Sequence, residues 1–167
     1  MTVHSSGVSA TASFAVTTHS TEQTRDFGAA LAGVAAAGDR IALVGPLGAG
    51  KTQFAKGFAV GLAVGEVVNS PSFTLMAEYA GRLPLFHQDL YRLTGAEEAL
   101  AGGLVDERQE DGVTLIEWGE RLPDRLDTQR LVVRIEVGVD DQRTITVEAR
   151  QANHERYLVA ARAWASR

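Results

Sequence analysis

Apolar residues fall along this chain in two rhythms, and the alternation between them predicts the order of its elements. Phe14 to Thr17 is a short β-like run. Phe27, Leu31 and Val34 then recur at the spacing that lines one face of a helix. Ser20 stands before them as an N-cap, with Gln23 three residues on and able to reach back, so one amphipathic helix is expected over 21–36, ended by Gly38 before Arg40. Ile41-Ala42-Leu43-Val44 is apolar without interruption, the pattern of a strand buried on both faces of a parallel sheet. Phe54, Phe58 and Leu62 mark a second helix.

Beyond Val67 and Val68, proline in Ser70-Pro71-Ser72-Phe73-Thr74 blocks helix and fixes an extended turn. Thr74 to Tyr79 and Leu83 to Asp89 read as strands around Gly81, and Glu97 to Ala101 as a short helix closed by Gly102-Gly103. Val113 to Ile116 is another buried strand that ends on Glu117. Arg130 to Val137 and Arg143 to Glu148 alternate across Asp140-Asp141 as a hairpin, and Asn153 is placed to cap a last helix with Tyr157, Leu158 and Ala161 on one side.

Composition narrows this to a single domain. A chain of 167 residues, 45% hydrophobic and 22% charged, buries one core comfortably and two with difficulty. Residues 1–13 offer little to bury and read as a disordered lead-in to a domain over 14–167. The net charge of -5 argues against a surface that grips a nucleic-acid backbone by itself. Cysteine is absent, which rules out disulfides and thiolate metal sites. No apolar run reaches the roughly 20 residues that cross a bilayer, and the start carries no export signal, so a cytosolic protein without membrane contact is expected.

Gly45-Pro46-Leu47-Gly48-Ala49-Gly50-Lys51-Thr52 matches the spacing G-x-x-x-x-G-K-[ST]. Glycines let such a loop wrap phosphates with its backbone N–H groups, and the helix that follows adds the positive end of its dipole. Lys51 would reach the β- and γ-phosphates and the Thr52 hydroxyl would ligate Mg²⁺. The buried strand before the loop and the apolar helix after it supply the required context. The fold expected is therefore α/β, a P-loop NTPase domain whose central, mostly parallel sheet is flanked by helices and finished by a C-terminal hairpin and helix. ATP is favoured over GTP because no Asn-Lys-x-Asp segment occurs.

Such a loop needs an acid at the end of a neighbouring strand to hold the metal and orient water. Glu117 and Asp89 both qualify, and with Lys51 they are the catalytic candidates. His87 reads as a hydrogen-bonded core or rim residue rather than a metal ligand. Tyr91 and Arg92 belong to the same rim, and Trp118 reads equally as core.

The four blocks together, the loop, Ser70 to Leu75, His87-Gln88-Asp89-Leu90-Tyr91-Arg92-Leu93 and Ile116-Glu117-Trp118, resemble the TsaE (YjeE) family over roughly residues 20 to 150. The resemblance implies a bacterial ATPase that acts with the TsaB and TsaD proteins to make threonylcarbamoyladenosine in tRNA, meeting tRNA only through that assembly. It implies that Thr52 and Glu117 serve Mg²⁺, that Asp89 matters for hydrolysis, and that Ser70, Pro71, Ser72, Phe73 and Thr74 form a switch-like segment near the γ-phosphate. It further places Thr21 and Thr24, at the start of the first helix, and Arg143 around base and ribose. The chain departs from the family at Pro46, which removes a loop N–H, at Ser72 in place of threonine, and at Gln88 in place of an aromatic. Two other functions share the loop: a small-molecule kinase, and a nucleotide-gated binding module with little turnover.

Overall fold

The computed structural model describes residues 11–71, 75–93, 104–123, 127 and 129–167. Its strands are β1 (Ala12–Thr18), β2 (Arg40–Val44), β3 (Met76–Tyr79), β4 (Leu85–Asp89), β5 (Val113–Glu117), β6 (Leu131–Val137) and β7 (Arg143–Ala149). Its helices are α1 (Thr21–Ala32), α2 (Lys51–Gly61) and α3 (Glu155–Ala165). Short 3₁₀ turns cover Glu107–Asp111, Gly119–Arg121 and Ala152–His154.

The seven strands form one sheet in the order β1-β7-β6-β2-β5-β4-β3. β6, β2, β5 and β4 are mutually parallel, as the unbroken apolar runs of β2 and β5 require. Antiparallel pairing is confined to the two margins, β3 on β4 and the β1-β7-β6 meander. The hairpin turns at Asp140 and Asp141, both at positive φ, as a tight turn that follows the strand twist demands. The three α-helices of the described residues join the larger core cluster, through Phe27 and Leu31, Phe54 and Phe58, and Tyr157 and Leu158. A smaller cluster of Leu90, Leu93, Leu104, Ile116 and Leu122 is separate from it. Among the described residues no helix is long and apolar enough to cross a membrane.

Several boundaries differ from expectation for local reasons. Ala12 and Ser13 are not lead-in but pair with Ala149 and Glu148 in the edge of the sheet. α1 stops at Ala32 rather than 36, because Gly33, Val34 and Ala35 turn inward with short-range bonds to Ala30, Leu31 and Ala32. Arginines take over the carbonyls left at that end: Arg82 donates to Ala32 and Ala35, and Arg156 to Val34. Asn153 does not cap α3; it lies inside the 3₁₀ turn Ala152–His154, and its carbonyl is occupied by Arg156. β4 starts at Leu85, after Pro84, which has no N–H to give a ladder. The helix expected over 97–101, Ser72 to Thr74 and residues 1–10 lie outside the described residues.

α1 and α2 meet through glycine. A Cβ at Gly57 would lie 1.9 Å from the Arg25 carbonyl oxygen, so the two backbones touch with no room for a side chain. Replacing Gly57 by alanine forces the helices apart and is expected to cost about 2 kcal/mol or more, lowering Tm by roughly 5 °C or more in a thermal melt. Gly65→Ala, where nothing lies within 4 Å, is the control and should leave Tm nearly unchanged.

Candidate functional site

The glycine-rich loop joins the end of β2 to the start of α2, as the strand, loop, helix order of the sequence predicts. Gly48 and Gly50 stand at φ 80 and 110, a left-handed conformation that side chains other than glycine's rarely adopt. Those two residues turn the chain so that Lys51 and Thr52 become the first residues of α2, where the helix dipole is positive. Arg143 of β7 braces the outside of the loop, its Nε donating to the Ala49 carbonyl at 2.9 Å. Lys51 Nζ donates to the carbonyls of Gly45 at 2.6 Å and Pro46 at 2.9 Å and lies 3.9 Å from the centre of the Trp118 ring. Burial lowers the Lys51 ammonium from its ordinary value, with the Glu117, Glu120 and Asp89 carboxylates opposing part of that shift.

The parallel register carries the acids to the loop. Glu117 stands opposite Leu43 of β2 on one side and Asp89 of β4 on the other. Its carboxylate is almost fully buried and accepts three hydrogen bonds: Thr52 Oγ1 at 2.9 Å on Oε1, and Ser70 Oγ at 2.9 Å and His87 Nε2 at 2.6 Å on Oε2. Burial pushes the Glu117 carboxyl up, but the hydrogen bonds of His87, Thr52 and Ser70 and the charge of His87 outweigh it and hold the group below its usual range. Asp89 goes the other way. Burial raises it, the Tyr91 N–H lowers it, and the Glu117 charge raises it again, for a net rise.

Thr52, Ser70, Glu117 and Asp89 are all oxygen donors, the chemistry that suits Mg²⁺. Among the described residues no group of three His, Cys, Asp or Glu side chains could cage a metal by itself.

A cleft of about 350 Å³ runs along these residues, lined by Leu47, Lys51, Thr52, Asp89, Glu117 and Trp118 among others. Trp118 takes a left-handed backbone at φ 58, and Tyr91 lies 5.0 Å from its ring. Arg121 sits 5.2 Å from the Tyr91 ring and 5.3 Å from the Trp118 ring. Arg92 is exposed on the turn after Tyr91. A second cavity of about 430 Å³ opens beside the loop, walled by His19, Ser20, Thr21, Gln53, Asp141 and Arg143. Thr21 and Arg143 thus line a common space. Thr24 lies beneath the loop instead, buried, with its hydroxyl 2.8 Å from that of Thr18. Gln88, which stands in place of the family's aromatic, is a buried amide that donates to the Leu104 carbonyl at 2.7 Å.

Residues 18–145 match the family model described as "Threonylcarbamoyl adenosine biosynthesis protein TsaE". This chain belongs to the TsaE family. It is 43% identical over 129 residues to the tRNA threonylcarbamoyladenosine biosynthesis protein TsaE of Bacillus subtilis, covering 77% of this chain and 80% of that one. The protein of the same name from Treponema pallidum is 40% identical over 128 residues, covering 77% and 95% of the two chains. The crystal structure of YdiB from Bacillus subtilis superposes with a TM-score of 0.67 at 34% identity, over 95% of this chain and 97% of that one.

Two features of this TsaE-family site go beyond the residues singled out from sequence. The wall formed by His19, Ser20, Gln53 and Asp141 has no sequence signature, because its members come from both ends of the chain and meet only in the folded sheet. The sequence marks His87 as a hydrogen-bonded residue but does not name Glu117 as its partner. The position of His87 two residues before Asp89 on one strand does put the two on the same face, which was the available signal.

Phosphate entering the loop would compete with Gly45 and Pro46 for the Lys51 ammonium and draw it from the Trp118 ring. The chain has two tryptophans, and the other, Trp164, packs 5.0 Å from Phe27. In a Trp164→Phe variant, nucleotide titration is expected to change the Trp118 emission, while Trp118→Phe should show no change. An unresponsive Trp118 in a variant shown by calorimetry to bind nucleotide would mean that the ammonium stays on its ring.

Proposed function

We propose that this TsaE-family chain is a Mg²⁺-dependent ATPase that acts with TsaB and TsaD proteins in the threonylcarbamoyladenosine modification of tRNA. The observation that carries the proposal is the meeting of Thr52 and Ser70 with the Glu117 carboxylate at the mouth of the glycine-rich loop. ATP is preferred to GTP on the absence of a guanine-reading segment from the sequence. The relatives' names supply the pathway, and the net charge of -5 supports contact with tRNA through the partner proteins rather than directly.

In this proposal the loop N–H groups and Lys51 hold the β- and γ-phosphates, and Thr21 and Arg143 line the space for base and ribose. Mg²⁺, bound through Thr52 Oγ1 and Glu117, would neutralise charge that builds on the phosphate oxygens. Asp89, whose Oδ1 accepts the Tyr91 N–H at 3.0 Å, offers its other oxygen to orient the attacking water. The water oxygen bonds to the γ-phosphorus, the bond from that phosphorus to the β–γ bridging oxygen breaks, and ADP and phosphate form, the water's proton passing by way of Asp89. The segment from Ser70 to Thr74 is proposed to follow the γ-phosphate, since Ser70 shares Glu117 with Thr52.

The test is reconstitution with purified TsaB and TsaD. Mg²⁺-dependent release of phosphate from ATP is expected to be slow alone and stimulated by the partners. Lys51→Ala and Glu117→Ala should each lower turnover by roughly 100-fold or more. Full activity in either variant would overturn the proposal, and so would phosphate moving from ATP to a metabolite rather than to water.

A further inference from the structure

His87 is fully buried on β4, and its ring makes a single side-chain hydrogen bond among the described residues, to Glu117. Its other nitrogen, Nδ1, is buried without a hydrogen-bond partner among them. A leucine or phenylalanine would fill the same volume without leaving a polar atom unsatisfied, and such an atom is costly to bury. The ring is therefore not explained by packing. What sets it apart from a filler is the 2.6 Å contact to Glu117 Oε2. An ionised carboxylate only accepts, so Nε2 carries the hydrogen in that contact.

The three donors on Glu117 are not equivalent. Thr52 and Ser70 present hydroxyls, which rotate freely about the C–O bond and can turn toward another acceptor. Of the two, Thr52, on α2, lines the cleft beside the loop. His87 has no such freedom, since its ring is held on all sides within the sheet core. The register supplies the geometry: His87 pairs with Leu115 and Asp89 with Glu117, so the imidazole sits one step behind the acid on the same face. Tying Oε2 leaves Oε1, the oxygen facing Thr52, as the one presented to the cleft.

We propose that His87 is a positioning residue that locks Glu117 by its Oε2, so that Oε1 and the Thr52 hydroxyl together face an incoming cation. This rests on the proposal above that Glu117 serves Mg²⁺. His87 itself touches neither nucleotide nor metal. Its effect is confined to the metal-dependent part of binding, and the orienting partners of metal ligands typically contribute about 10- to 100-fold in affinity.

The experiment compares His87→Gln with His87→Asn, measuring ADP affinity by calorimetry with Mg²⁺ and with EDTA, alongside the melting temperature of each variant. The amide nitrogen of glutamine reaches the place of Nε2, whereas that of asparagine reaches only the place of Nδ1. His87→Gln is expected to keep the tightening that Mg²⁺ gives the wild type within about 3-fold, and His87→Asn to lose about 10-fold or more of it, with affinities in EDTA alike for all three. Equal behaviour of the two variants, or a loss of the same size in EDTA, would overturn the proposal and return His87 to a structural role. Melting temperatures that separate the variants while the Mg²⁺ increment does not would do the same. A wild type whose affinity ignores Mg²⁺ would overturn the metal role of Glu117, and this inference with it.

Discussion

The site hangs from the parallel register of three strands. β5 and β4 end level with one another and β2 one residue beyond, so that Glu117 lies between Leu43 and Asp89. The same register delivers β2 directly into the glycine-rich loop, which places a phosphate cradle beside two carboxylates without any further turn of the chain. A slip of one residue in β5 would send Glu117 to the opposite face of the sheet, away from α2. The uninterrupted apolar runs of β2 and β5 are what hold that register, because both faces are buried.

Around this frame, the electrostatics divide the two acids. Glu117 is surrounded by donors and held ionised, while Asp89, with one backbone N–H and a like charge beside it, is raised. Two carboxylates in one cleft are thereby made unlike, which is the usual preparation for different tasks. Lys51 belongs to the same balance, its ammonium pulled below its ordinary value by burial and partly restored by the acids it faces.

Much of this was legible in the sequence, for reasons specific to each part. The loop could be read because its function fixes residue types at fixed spacing, and the acids because each ends a buried strand. β2, β5 and the hairpin were legible from period and turn chemistry. The end of α1 was not, because helical spacing continues to Val34 while the carbonyls there are claimed by Arg82 and Arg156, which arrive from distant segments. The burial of Thr24 was not legible for a similar reason: its position near the helix start says nothing about Thr18, whose hydroxyl it meets inside the fold. The bond between His87 and Glu117 depends on β4 lying next to β5, and strand order is not written in the spacing of either strand.

The bracing of the loop by Arg143 also bears on how the chain acquires the site during synthesis. Thr52 and Glu117 are separated by 65 residues, and Ala49 and Arg143 by 94. Bringing such distant segments together costs chain entropy before any contact is gained. The eight residues from Gly45 to Thr52 are therefore not a self-sufficient cradle. A ribosome must deliver the chain through β7 before the loop has its outer support, so a nascent chain released earlier would carry the signature of nucleotide binding without the Arg143 brace.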